Sequence, residues 1–168
     1  MRQIHLITTG GTIEKRYNEQ MGTMSNTEPQ IRRCLQMLRL GDTDISITEL
    51  MNKDSLVMTE EDRDLIAATV LPSTTAGTPV IITHGTDTMV QTGLRIAHRI
   101  PSPSAPIILT GAMTPFGIEG SDAIQNLTES LLASSLVAPS TYIVFHGEVF
   151  PIHNVEKDYQ NSRFRRLR

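Results

Sequence analysis

Five short apolar runs rich in β-branched residues, at Gln3–Thr9, Ile45–Met51, Pro79–Thr83, Pro106–Thr110 and Thr141–Phe145, alternate along this chain with segments of helical periodicity. A strand that is apolar on both faces must be covered on both faces, and a helix in each connection is the usual way to bring the next strand parallel to the last. The alternation therefore predicts an α/β fold, a mostly parallel sheet with helices on both faces. Several helix starts are written in the sequence. Thr59 with Asp62 three residues later reads as a capping box, Ser121–Asp122 opens a second helix, and Val90–His98 forms a third. Pro29 suits the first turn of a helix running to about Leu40. At 168 residues the chain makes one domain, 1–168, by length alone.

Composition narrows the partners. A net charge of -3 with 39% hydrophobic and 20% charged residues points to neither nucleic acid nor membrane. No run approaches the ~20 apolar residues of a membrane span, and the first apolar stretch is too short for a signal-peptide core, so a cytoplasmic protein is expected. Cys34 is the single cysteine; it forms no internal disulfide and suits a reducing compartment. The five histidines are scattered and read as packing or surface residues, so no metal site is expected from them; no organic cofactor is expected either.

Three segments lack a periodic pattern: Glu14–Thr27, "PSPSAP" at Pro101–Pro106, and the tail from Glu148. The polar stretch 14–27 reads as a mobile active-site loop. Residues 158–168 read as a basic C-terminal tail, solvated or in contact with another protomer.

The chemistry is concentrated at two strand ends. "TTGGTIEK", Thr8–Lys15, has neither the GxxxxGK[ST] nor the GxGxxG spacing of a phosphate loop. A plain turn needs Gly10 and Gly11 only for their dihedrals and leaves the flanking hydroxyls unexplained. "VIITHGTDTM", Val80–Met89, is a second apolar strand ending in Gly, Thr, Asp and Thr before a helix. In a parallel sheet both loops emerge at the carboxyl ends of the strands, where α/β proteins build ligand sites. An alcohol nucleophile needs a proton acceptor within hydrogen-bond reach and donors where an oxyanion forms. Thr12, Thr86, Asp87 and a lysine supply such a set. Thr86 and Asp87 equally suit the cap of the helix that follows.

"TTGGTI" (Thr8–Ile13) and "THGTDTM" (Thr83–Met89) together resemble the two signature motifs of the bacterial-type L-asparaginase and glutaminase family, amidohydrolases with a threonine nucleophile. "KDSLVMT" (Lys53–Thr59), "LTGAMTP" (Leu109–Pro115) and "NVEKDYQNSRF" (Asn154–Phe164) are similar to its other site segments, so the likeness spans nearly the whole chain. The resemblance implies that Thr12 attacks the side-chain amide of L-asparagine and that water releases the acid from an acyl-enzyme. Thr86, Asp87 and Lys157 would form the second triad. Asp54 and Ser55 would hold the substrate's α-amino and α-carboxylate groups, and the backbone around Gly11, Gly85 and Ala112 would complete the pocket. The family's lid tyrosine has its only candidate in Tyr17, closer to the nucleophile than usual. The usual members continue into a second domain, so the resemblance is to a short-chain form, with a homo-oligomer expected. Two alternatives stay open within this reading, glutaminase activity and a silent aspartate- or asparagine-binding protein. Subunits that release ammonia for transfer-RNA-dependent amidation share the architecture but carry an extra N-terminal region.

Overall fold

The computed structural model describes residues 1–167. Strand β1 (Arg2–Gly10) leads through a one-turn 3-10 helix (Thr12–Glu14) into a hairpin, β2 (Arg16–Asn18) and β3 (Thr23–Ser25). Helix α1 (Ile31–Gln36), strand β4 (Thr43–Lys53), helix α2 (Glu60–Thr75), strand β5 (Val80–Thr83) and helix α3 (Met89–Arg99) follow. The chain then runs through β6 (Ile107–Thr110), α4 (Ala123–Ala133), β7 (Thr141–Phe145), β8 (Glu148–Pro151) and a terminal hairpin of β9 (Glu156–Asp158) and β10 (Arg163–Arg165).

Six strands form one sheet in the order β4-β1-β5-β6-β7-β8, parallel except for the antiparallel β7–β8 edge. Register explains why the strands are apolar throughout. Ile7, Ile82, Leu109 and Ile143 lie side by side across four strands and pack with Ile66 and Val70 of α2 and Met89 and Ile96 of α3. The adjacent row, Leu6, Ile81 and Ile108, points the other way, onto Ile31 and Cys34 of α1 and Leu127 and Leu131 of α4. Each step along a strand thus changes the helix layer it feeds, which is the sandwich that the strand pattern predicts.

From β1 the chain moves outward to β4, then crosses back over β1 to β5. The carboxyl ends of β1 and β5 therefore flank the point where the winding reverses, which is where an open α/β sheet forms a crevice. No described helix is long and apolar enough to cross a membrane.

The capping box at Thr59 is present, with Thr59 Oγ1 accepting from Asp62 N and Asp62 Oδ2 from Thr59 N. Three expectations need correction. The helix expected from Pro29 to Leu40 is only Ile31–Gln36, with Gln30 as its N-cap; the chain has to turn at Gly41 to reach the edge strand β4. Residues 14–27, read as a loop without periodic pattern, contain a short hairpin in which Arg16–Asn18 and Thr23–Ser25 pair with each other. The tail from Glu148 folds as well: β8 joins the sheet, and Phe164 of β10 packs edge-on against Phe145 with ring centroids 5.0 Å apart. Its arginines are engaged within the chain, Arg163 with Asp158 and Arg165 with Glu156, and Arg166 Nη2 donates to the Val149 carbonyl. Arg168 lies outside the described residues.

Candidate active site

The β1 and β5 loops meet through glycine. Gly11 has φ +82°, and a Cβ placed there would collide with the backbone of Gly85, so the absence of a side chain lets the two loops touch. Thr9 Oγ1 donates to Thr83 O at 2.7 Å, joining the strand ends just beneath. Gly11 N–H donates to Lys53 O at 2.9 Å, which fixes the loop against β4 as well. Thr12 follows as the first residue of the 3-10 turn and is half-buried.

The terminal hairpin supplies the cation. Lys157 Nζ donates to Thr86 Oγ1 at 2.8 Å and to Asp87 Oδ1 at 2.7 Å, although about seventy positions separate them in sequence. The lysine side chain is 11% exposed and that of Asp87 34%. Tyr159 roofs the pair: the ammonium lies 4.8 Å from its ring centroid and its hydroxyl donates to Asp87 O at 3.2 Å. Asp87 is thus committed to the lysine. The helix cap falls instead on Thr88, whose side chain does not cap α3 but donates to Ser55 O at 2.9 Å.

Ser55 is buried, and a Cβ on Gly85 would come within 2.6 Å of its Oγ. Asp54 caps the short turn Ser55–Val57 by accepting Leu56 N–H at 3.0 Å and pairs with Lys15 at 3.2 Å. That backbone bond, with the Lys15 ammonium adding to it, holds the Asp54 carboxyl below its usual range. Ala112 is fully buried and packs with Ile13 and Ala123. Tyr17 stands apart: it is 56% exposed on β2, faces Met24 across the hairpin, and lines a cavity of about 290 Å³ with Lys15, Gln30, Arg33 and Ile118.

Several supports were not identified in the sequence. Asp122 accepts the N–H groups of Met113 and Thr114 at 3.0 Å, and Asn126 Nδ2 donates to Gly111 O at 3.0 Å, so the start of α4 anchors the Gly111–Thr114 loop. His146 Nε2 meets Asp122 at 2.7 Å. The polar pair at i and i+4, set among Leu127 and Leu131, was the available signal. His84 is fully buried between Gly85 O at 2.7 Å and Thr92 Oγ1 at 2.8 Å. A carbonyl only accepts, so Nδ1 carries the proton and Nε2 accepts from the threonine. Burial pushes its pKa down to about 4, which keeps the ring neutral. Among the described residues no three His, Cys, Asp or Glu side chains are grouped to hold a metal ion.

Fold and site together define an α/β protein that presents two hydroxyl-bearing loops, a lysine and carboxylates at the switch point of a parallel sheet. The sequence model described as Asparaginase, N-terminal, matches residues 3–164, and the chain belongs to the asparaginase family of amidohydrolases. It is 28% identical over 144 residues to the L-asparaginase of Thermococcus kodakarensis, covering 86% of this chain and 44% of that protein. It is 34% identical over 159 residues to a glutamyl-tRNA(Gln) amidotransferase subunit of Aeropyrum pernix, covering 87% of this chain and 35% of that protein. The solved structure of the thermostable L-asparaginase from Thermococcus kodakarensis superposes with a TM-score of 0.85 at 27% identity, and that of a probable cytoplasmic L-asparaginase from Campylobacter jejuni with 0.77 at 25%. In both cases 98% of this chain and 51% of the other are covered. The chain therefore spans about half, or less, of the length of the proteins it matches.

Proposed function

We propose that the chain hydrolyses L-asparagine to L-aspartate and ammonia with Thr12 as nucleophile. The observation that carries this reading is the Lys157 ammonium held at once by Thr86 Oγ1 and Asp87 Oδ1, on a loop pressed against the Thr12 loop. In the first half-reaction Thr12 Oγ bonds to the side-chain amide carbon and the carbonyl oxygen becomes an oxyanion. As the carbonyl re-forms, the C–N bond breaks, and the proton lost by Thr12 leaves with the nitrogen as ammonia. Water then adds to the aspartyl ester, and the reverse sequence frees Thr12 and the acid.

While Lys157 is an ammonium it donates to Thr86 Oγ1, so the Thr86 hydroxyl proton is directed away from the lysine, toward the reacting atoms. As a neutral amine Lys157 accepts from the same hydroxyl, and the pair takes up a proton. Asp87 anchors the lysine with one oxygen and has the other for a substrate ammonium. Asp54 and Ser55 would bind the remainder of the amino-acid end, and the loop at Ala112, held by Asp122, would limit its length.

The relationship to the Aeropyrum pernix amidotransferase favours a second reading, ammonia release from glutamine for use by a partner protein. The L-asparaginase relatives favour asparagine, and the likeness to a probable cytoplasmic L-asparaginase suits a cytoplasmic setting. A homo-oligomer belongs to the same reading. Parallel measurement of ammonia release from L-asparagine and L-glutamine decides between the substrates: faster turnover of asparagine is expected, and a preference for glutamine would move the assignment to the second reading. Thermal stabilisation by aspartate with no turnover of either amide would make the chain a binding protein.

A further inference from the structure

Glu14 has no part in the chemistry above, yet it lies two positions after Thr12 and is 1% exposed. Its Oε2 accepts the backbone N–H of Gln30, and the Ile31 N–H bonds to the same carboxyl. Its own N–H donates to Gly11 O at 3.2 Å. The second carboxyl oxygen, Oε1, is buried with no hydrogen-bond partner among the described residues.

Glu14 and Gln30 are the two ends of the segment that carries the β2–β3 hairpin, so their contact closes the hairpin's base beside the nucleophile turn. Two further struts reach from the segment to site residues. Lys15 pairs with Asp54 at 3.2 Å, and Asn26 Nδ2 donates to Gly11 O and to Asn52 Oδ1, each at 2.9 Å. The groups facing the Glu14 carboxyl give its charge little relief. Glu49 of β4 repels it, although Arg32 pairs with Glu49 at 3.0 Å. From α1 comes the Cys34 thiol, itself pushed up to about 12 by burial and by the Glu14 charge, with Arg33 acting in the opposite direction on that thiol. Beside Glu14 in the chain, Ile13 packs in an apolar cluster with Ala112, Ala123 and Phe116.

We propose that Glu14 is a positioning residue, the clasp of this hairpin: protonated, it holds the hairpin base closed against the nucleophile turn, and ionised, it favours opening. The proposal rests on the reading of Thr12 as nucleophile only in calling the hairpin a lid. Opening exposes the carboxyl to water and releases its proton to solvent. Burial above all raises the closed-state pKa to about 7, against an ordinary value of 4.5, while the Gln30 and Ile31 N–H groups pull it back in part. The closed state binds the proton more tightly, so closure weakens as pH rises between those values, by about 70-fold between pH 5 and pH 8.

Amide hydrogen exchange on the full chain tests this without needing turnover. Protection factors, corrected for the pH dependence of chemical exchange, would be followed at Tyr17, Met24 and Gln30 from pH 5 to pH 8, in wild type and Glu14→Gln, with Ile82 as the core reference. Wild-type hairpin protection should stay below that of Ile82 and itself fall about 70-fold from pH 5 to pH 8, and Glu14→Gln should be flat. Protection that is flat in wild type, or that falls equally in the variant, overturns the clasp; should Glu14→Gln fail to fold, the wild-type series alone decides. Ammonia release measured alongside keeps the two claims apart, since pH-dependent protection in a chain with no turnover would retain the clasp and remove the nucleophile.

Discussion

At the residue scale the account turns on atoms that distant segments bring together. Lys157 is the clearest case: its Nζ donates to Thr86 and Asp87, so Lys157→Ala removes both the proposed proton relay and the partner of a carboxylate. General acid–base groups contribute typically ~10²–10⁴-fold. The expected result is a kcat for L-asparagine lowered at least ~100-fold with the fold retained, read by steady-state kinetics and circular dichroism. The placement of Thr12, Thr86, Asp87 and Ser55 just past strand ends was legible because each stands in a contiguous motif that follows an apolar run. Asp122, Asn126 and His146 were not, because their partners are loop N–H and C=O groups that only the packing of α4 against β6 and β7 brings near. Tyr17 was nominated from the resemblance, and its side chain is among the more exposed in the hairpin.

Elements carry the next prediction. Glu14 is raised to about 7 by burial, and an acid that is weaker in the folded state than in the unfolded chain destabilises the fold once ionised. That stability is fully present below the unfolded value of 4.5 and is lost as pH climbs to about 7. Glu14→Gln removes the charge and keeps an acceptor for the Gln30 N–H. It should therefore be more stable than wild type at pH 8, by about 3 kcal/mol, with the gap closing toward pH 4.5. Urea unfolding of both proteins across that range measures the gap, and a constant difference would show that Glu14 is not buried as a titrating group. The five parallel strands and three longer helices could be read from apolar runs and caps. Hairpin β2–β3 and β8–β10 could not, because their short strands, such as RYN, TMS and EKD, lack the unbroken apolar run that marks β5 and β6 and are specified by their partners across the turn.

At the scale of the whole molecule, the β9–β10 hairpin brings Lys157 to the candidate site. Phe164 is buried against Phe145, and in the β9–β10 hairpin it sits opposite Lys157. A Phe→Ala change in a core typically costs ~3–5 kcal/mol. Phe164→Ala should thus lower the melting temperature and also reduce kcat, since it loosens the strand that holds the lysine; unchanged kcat at a temperature where the variant is folded would detach the hairpin's packing from its chemistry. The α/β architecture was legible because fully buried parallel strands need apolar residues on both faces. The closure of the site was not, because it depends on tertiary contacts between segments about seventy residues apart.

The most direct measurement is ammonia release from L-asparagine by purified wild type and Thr12→Ala at matched concentration. The account predicts turnover in wild type and none above background in Thr12→Ala. Turnover retained in Thr12→Ala, or absent from folded wild type, would contradict it.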